Sequence, residues 1–522
     1  MKKFTLLSSM ILSSFILAST QTPIKVDFFK SDTVQSMSGI LHGIYDNWNN
    51  FNTTPAADSL ITEIHAAFWR IGTAHPFMYE TLTGKSEAEV ILVVSDIIGY
   101  SSVGAVAPYQ DSLLFVSKLD ALCEETKNRT YIYDIWNEPD IDFFWEGTEE
   151  QFFWTFQIAH DRIRKNLGED ILISGPSSAY ADTSFFRRFC DFALEKELEI
   201  NDFSFHGLFP DIKRLEDVLV WVRKEFIEAE RYQALNIQRI VVNEIVGPAY
   251  QYKPGAILAH FKYLENGKAD GACKACWDAH DGSGTNNCWN NTLDGLLTPN
   301  QLAPRSAWWA YQAYAELKEI RYPIESQGNT IGLAGPTSDN SIRILLASYA
   351  ETNEAGPTTL NLTLDKIADL PMLETADFYE ISQYQIINTE IESLEQPELL
   401  KTDTLNLSEL ENFSRNLNLA INSIQYLDIK TLSVSTDIDQ QLAAKNINLF
   451  PNPVSETLFI EMEKTSPLEL RFFDLLGNQI LQKQINGNTS ISTASLIPNT
   501  YLIQILDKKT GDISFRKLVK IE

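Results

Sequence analysis

From residue 40 to residue 319, short apolar runs alternate with longer stretches whose apolar positions recur every three or four residues. The short runs predict eight strands: Ile40–Asn47, Ala67–Thr73, Val90–Asp96, Thr130–Asn137, Ile171–Pro176, Asp202–Leu208, Ile240–Glu244 and Gly271–Trp277. Their β-branched and aromatic content, with little polar alternation, suits strands covered on both faces. The stretches between them read as helices. One begins at Thr148, where Thr148-Glu149-Glu150-Gln151 predicts a capping box and Phe152, Phe156, Ala159 and Ile163 follow at helical spacing. Another, Pro304–Leu317, sets Trp308, Tyr311 and Ala315 on one face. Strand and helix alternating eight times predict an α/β fold, a (β/α)8 TIM barrel over residues 40–319.

Beyond residue 319 the period changes to alternation between Gly, Asn, Asp and Pro turns. Thr330–Ala334, Ser341–Tyr349, Thr358–Leu364, Ala376–Ile381 and Leu417–Ile429 predict an accessory antiparallel β-sandwich over 320–432. The acidic stretch Glu390–Glu411 reads as a long loop. Residues 21–39 precede the barrel, and Ile24–Phe28 is positioned to add a strand to the sandwich. Residues 433–446 are polar and suit a linker. A small all-β domain, 447–522, follows with runs at Ile447–Phe450, Thr457–Met462, Leu468–Asp474, Tyr501–Leu506 and Lys517–Ile521.

Met1-Lys2-Lys3, the apolar run Phe4–Leu17 and Ala18-Ser19-Thr20 have the layout of a signal peptide over residues 1–20. The apolar run is too short to span a bilayer, and no later stretch reaches spanning length. With 70 acidic against 42 basic residues, the net charge of −28 argues against nucleic acid or an anionic membrane as partner. A hydrophobic share of 44% supplies ample core.

Two predicted strands end in the same chemistry. Arg129–Ile135 runs into Trp136-Asn137-Glu138-Pro139-Asp140, where Pro139 stops the ladder and leaves Asn137 and Glu138 at the strand's C-terminal mouth. Arg239–Val242 likewise ends in Asn243-Glu244 before Gly247-Pro248. Paired carboxylates across a cleft are the equipment of glycoside hydrolysis. Arg70, His206 and Trp277 fall at other strand mouths, as do His42, Asp46 and Trp48. Cys123 and Cys190 sit in predicted helices as buried thiols. Cys273, Cys276 and Cys288 cluster with His280. A Cys3His zinc site and a disulfide both answer to that cluster, with Cys276–Cys288 the favoured pair in an exported protein.

These residues carry two resemblances. At Asn137-Glu138-Pro139 and Glu244 the chain resembles the retaining glycosidases of clan A. Trp136–Asp140, the strand Asp202-Phe203-Ser204-Phe205-His206 and the following sandwich look most like glycoside hydrolase family 39, the β-xylosidase and α-L-iduronidase family. The resemblance spans residues 22–430. It implies Glu138 as acid/base and Glu244 as nucleophile, with no cofactor. Asn137 is expected on the sugar 2-hydroxyl, Arg70 on Glu244, and His206, Trp277 and His42 on substrate. The Glu244 charge is expected to raise the pKa of Glu138. The implied activity is degradation of plant or algal polysaccharide or its oligosaccharides, with β-xylosidase the leading specificity. Rhamnosidase, glucosidase and uronidase-like specificities, and a non-catalytic glycan-binding barrel, are the alternatives. The tail, from Ile447-Asn448-Leu449-Phe450-Pro451-Asn452-Pro453 through Phe473–Asn478 to Lys517–Lys520, resembles the type A sorting domain of the type IX secretion system. It implies that machinery as partner and a secreted or cell-surface location.

Overall fold

The structure is a computed structural model. It describes residues 22–432 and 447–521, apart from 48–49, 52–54, 278–287, 289–291, 300–302, 326, 353–355, 374–375, 377, 463–466, 475–477 and 510–512. The chain divides into two compact units, residues 1–432 and 433–522.

Eight parallel strands of the first unit close into a barrel in chain order: β1 Gly39–Leu41, β2 Phe68–Ile71, β3 Glu89–Val93, β4 Tyr131–Asp134, β5 Ile173–Ser178, β6 Asp202–Gly207, β7 Arg239–Ile245 and β8 Gly271–Lys274. Closure between β8 and β1 requires Gly39, because a Cβ there would stand 2.0 Å from the Ala272 carbonyl oxygen. The barrel interior changes character along its axis. Phe68, Ile91, Ile132, Val241 and Cys273 make one apolar layer. Two residues further along their strands, on the same face, come Arg70, Asp134 and Asn243, all buried. The polar layer lies toward the strands' C-terminal ends, and burying it is costly unless every group is paired.

Helices cover the barrel as their periodicity predicts. Thr148 and Gln151 form the capping box of helix Glu149–Leu167, which buries Phe152, Phe156, Ala159 and Ile163. Helix Ser306–Ala315 buries Trp308 and Tyr311. Cys123 and Cys190 are buried free thiols on helices Ser112–Thr126 and Thr183–Glu195. Among the described residues no helix is long and apolar enough to cross a membrane.

A five-stranded antiparallel sheet orders Thr330–Pro336, Ile342–Ser348, Ile424–Leu432, Phe378–Ile386 and Glu398–Asn406. Facing it are Thr358–Asp365, Ser414–Leu419 and the N-terminal strand Thr22–Asp27, which pairs in parallel with Thr358–Asp365. Ile24, Val26, Ile344, Leu362, Leu417 and Leu427 share the core between the sheets.

Two expectations change. Glu390–Glu411 is not a long loop: Glu398–Asn406 is an edge strand, and Asn406 caps a short helix, Leu407–Glu411, through a capping box with Glu409. Most of that strand is exposed on both faces, which removes the apolar alternation that marks a strand. The run Ile40–Asn47 is also not one strand. Left-handed His42 (φ 59°) and Gly43 (φ 78°) break it, and Tyr45–Asn47 pairs instead with Asn50–Phe51.

The second unit is all β. One sheet joins Ile447–Phe450, Thr457–Met462 and Thr489–Ser492; the other orders Gln479–Asn486, Pro467–Phe473, Asn499–Asp507 and Ile513–Lys520. Leu458, Ile460, Leu470, Phe472, Ile503 and Leu518 fill its core.

Candidate active site

The polar layer of the barrel is built around Arg70. From β2 its Nε donates to Asp134 Oδ2 (2.9 Å), its Nη1 to Glu244 Oε1 (2.9 Å) and its Nη2 to Asn137 Oδ1 (2.7 Å). Arg70 is 1% exposed and Asp134 fully buried, so the guanidinium fork is spent on fixed partners rather than on water. Asp134 also accepts from Ser177 Oγ and from Asn243 Nδ2, the latter at 3.1 Å. Asn243 Nδ2 reaches Ser177 Oγ at 2.7 Å, and Ser177 Oγ lies 2.8 Å from Ser204 Oγ. Residues from β2, β4, β5, β6 and β7 are thereby tied into one network beneath the two glutamates.

Above it, His206 Nδ1 lies 2.9 Å from Glu138 Oε1 and 3.6 Å from Glu244 Oε2. One donor atom each from Glu138, His206 and Glu244 fall within 4.8 Å of one another. That trio is also the group among the described residues spaced to share a cation. The backbone is strained where these side chains are aimed. His42, Glu138 (φ 48°), Ser177 (φ 52°) and Val246 (φ 65°) are all left-handed, each at or just past the C-terminal end of a barrel strand. Asn137 N–H donates to Ser95 Oγ (3.0 Å) and Glu138 N–H to the Ser177 carbonyl (3.0 Å), which holds the Glu138 turn from both sides.

Burial dominates the titration of the pair. It pushes Glu138 up to about 7, against a smaller lowering by Arg70. It also raises Glu244, with His206 and Arg70 pulling down and the Glu138 charge pushing further up. The expected source of the Glu138 shift, the Glu244 charge, is therefore corrected: removal from water leads. Burial lowers His206 as well, and it lowers His42 to about 3, so that ring is neutral near pH 7.

A cavity of about 600 Å³ opens over the carboxylates, lined by Leu41, His42, Asp96, Gly99, Tyr100, Val103, Asn137, Glu138, Phe143, Phe144, Glu244, Cys276, Trp277 and Cys288. Two larger clefts, about 880 and 850 Å³, contain neither glutamate. Shape alone would favour them; the convergence of buried carboxylates favours the smaller one.

Glu138, Glu244, Asn137, His206 and Arg70 thus come together at one point, and His42 and Trp277 line the same cavity. Trp277 Nε1 donates to the Val246 carbonyl at 2.9 Å, which turns the indole toward the β7 side. Cys276 and Cys288 are joined by a disulfide with Cα atoms 5.1 Å apart, and Cys273 is a buried free thiol. The bond uses two of the thiols that a Cys3His zinc site would need. The side chain of Asp46, Trp48 and His280 lie outside the described residues. Sequence reasoning passed over Asp134, Asn243 as part of the Arg70 network, and the Asp96–Tyr100 pair, in which the Tyr100 hydroxyl donates to Asp96. The close packing of Asp96 on Gly72, where a Cβ would meet Asp96 Oδ2 at 2.3 Å, explains the glycine at that position.

Comparison with known proteins bears on fold and export. Residues 448–521 match the secretion system C-terminal sorting domain family. A β-xylosidase of Caldicellulosiruptor saccharolyticus is 30% identical over 85 residues, 16% of this chain and 17% of that protein. An endo-acting ulvan lyase of Formosa agariphila is 29% identical over 90 residues, 17% of each. The chain thus spans about a sixth of the length of these curated relatives. The solved family 39 glycoside hydrolase of Xanthomonas axonopodis pv. citri superposes with a TM-score of 0.60 at 12% identity, over 81% of this chain and all of that one. The chain therefore has a glycoside hydrolase-like fold, similar to that of a solved family 39 enzyme, and carries a secretion sorting domain at residues 448–521.

Proposed function

We propose that this protein is a secreted retaining glycoside hydrolase acting on oligosaccharides of plant or algal polysaccharide by double displacement, with β-xylosides as the leading substrates. The observation that carries the reading is the separation of Glu138 and Glu244: oxygens of the two side chains lie within 4.8 Å of each other. Retaining enzymes hold their carboxyl groups about 5–5.5 Å apart, whereas inverting enzymes leave about 6.5–9.5 Å for a water.

Glu138, protonated up to about pH 7, gives its proton to the departing glycosidic oxygen. Glu244 attacks the anomeric carbon with one carboxylate oxygen, the C–O bond to the leaving group breaks, and a glycosyl ester forms. Glu138, now a carboxylate, takes a proton from water as the water oxygen attacks the same carbon and releases Glu244. Arg70, 2.9 Å from Glu244 Oε1, favours the ionised nucleophile. It also occupies the oxygen of Asn137, which leaves the Asn137 amide NH2 for a sugar hydroxyl.

The test is chemical rescue. Glu244→Ala should lose hydrolysis of an aryl β-xyloside and regain rate with azide, giving a glycosyl azide of inverted configuration. Absence of rescue, or a retained azide product, removes Glu244 from the nucleophile's role.

A further inference from the structure

Two large apolar side chains stand open at the cavity mouth, Phe143 at 53% exposure and Val103 at 66%. Exposed apolar groups gathered at a functional cavity mark contact with a partner surface. Phe143 is held in place. The loop after Glu138 turns back on itself, with Ile141 N–H donating to the Glu138 carbonyl (3.2 Å) and Phe144 N–H to the Ile141 carbonyl (3.0 Å). Ser102, beside Val103, donates to the Phe143 carbonyl, and Trp136 Nε1 donates to the Phe144 carbonyl at 3.2 Å. Phe144 packs edge-on to both Phe143 (4.9 Å) and Tyr100 (5.0 Å). The ring of Phe143 is therefore presented by a braced turn, preorganised for contact.

Its position relative to the chemistry gives that contact a meaning. A general acid approaches the leaving-group oxygen, so the part of the mouth formed by the Glu138 turn faces the departing half of the substrate. Trp277 is tied instead to the backbone just past Glu244, on the nucleophile's strand, where the sugar being captured sits. We infer that Phe143, with Val103 beside it, forms a leaving-group subsite that stacks on the apolar face of a second pyranose, making β-linked oligosaccharides the preferred substrates. This rests on the glycosidase reading above and adds which half of the substrate the Phe143 ring contacts.

The experiment separates the two halves. Phe143→Ala and Phe143→Trp are assayed against the β-linked disaccharide and trisaccharide, and against the glycosyl fluoride, of the sugar whose aryl glycoside the wild type cleaves fastest. A fluoride has no second sugar to stack. Loss of one aromatic stacking contact should lower kcat/KM of Phe143→Ala on the oligosaccharides about tenfold. Fluoride hydrolysis should stay within about twofold of wild type, and Phe143→Trp should restore most of the oligosaccharide rate. Equal losses on fluoride and oligosaccharide, or no loss on either, overturn the subsite while leaving the glycosidase reading intact. A wild type that cleaves no aryl glycoside, fluoride or oligosaccharide removes the glycosidase reading and the subsite with it.

Discussion

Keeping a buried carboxyl group protonated near neutral pH costs the folded state stability, and that cost is measurable without any substrate. Burial lifts Glu138 from 4.5 to about 7, with only 13% of its side chain exposed. A carboxyl whose pKa is higher folded than unfolded favours folding below the unfolded value and loses that contribution as pH rises through the folded value. At about 1.4 kcal/mol per unit, the shift is worth about 3 kcal/mol. Glu138→Gln keeps the shape and a hydrogen-bonding partner for His206 but has no proton to lose. Its stability relative to wild type should therefore rise by about 3 kcal/mol between pH 4 and pH 8, with most of the change between 4.5 and 7. All ten tryptophans lie between Trp48 and Trp309, so urea unfolding followed by tryptophan fluorescence reports on the first unit alone. A stability difference that does not change with pH would refute the claim that Glu138 is protonated because it is buried.

Other outcomes follow from the same geometry. Arg70→Met strips the buried Asp134 and Glu244 of their cation, and breaking such pairs from one side costs about 3–5 kcal/mol. A lower urea midpoint is expected, together with an acidic limb of kcat/KM moved to higher pH; wild-type values of both would contradict the role given to Arg70. The acidic side chains lining the cavity are Asp96, Glu138 and Glu244, with no Lys or Arg among the described lining residues. An aryl β-glucuronide, which adds one carboxylate to the xyloside ring, should therefore be cleaved at least about 100-fold less efficiently than the aryl β-xyloside at low salt. Comparable efficiencies would show that a cation reaches the substrate.

Much of this site was legible from residue order, because the two glutamates end apolar strands and are followed by Pro139 or Gly247-Pro248, which mark a mouth in any barrel. Arg70 and His206 were legible for the same reason. Asp134 was not. It lies inside the run Tyr131-Ile132-Tyr133-Asp134-Ile135, and its partners Arg70, Ser177 and Asn243 come from three other strands, a pairing that no local pattern encodes. The edge strand Glu398–Asn406 was hidden because an edge exposed on both faces needs no apolar alternation. The sign of the Glu138 shift followed from chemistry alone, but its leading cause required knowing how deeply the side chain is buried.

The central claim is that Glu138 and Glu244 work by direct covalent capture of the sugar. The most direct measurement is the configuration of the first-formed product, followed by proton NMR in the initial minutes of aryl β-xyloside hydrolysis, before mutarotation. The account predicts that the β-anomer appears first and the α-anomer grows in later; initial release of the α-anomer would mean a single inversion and would contradict it.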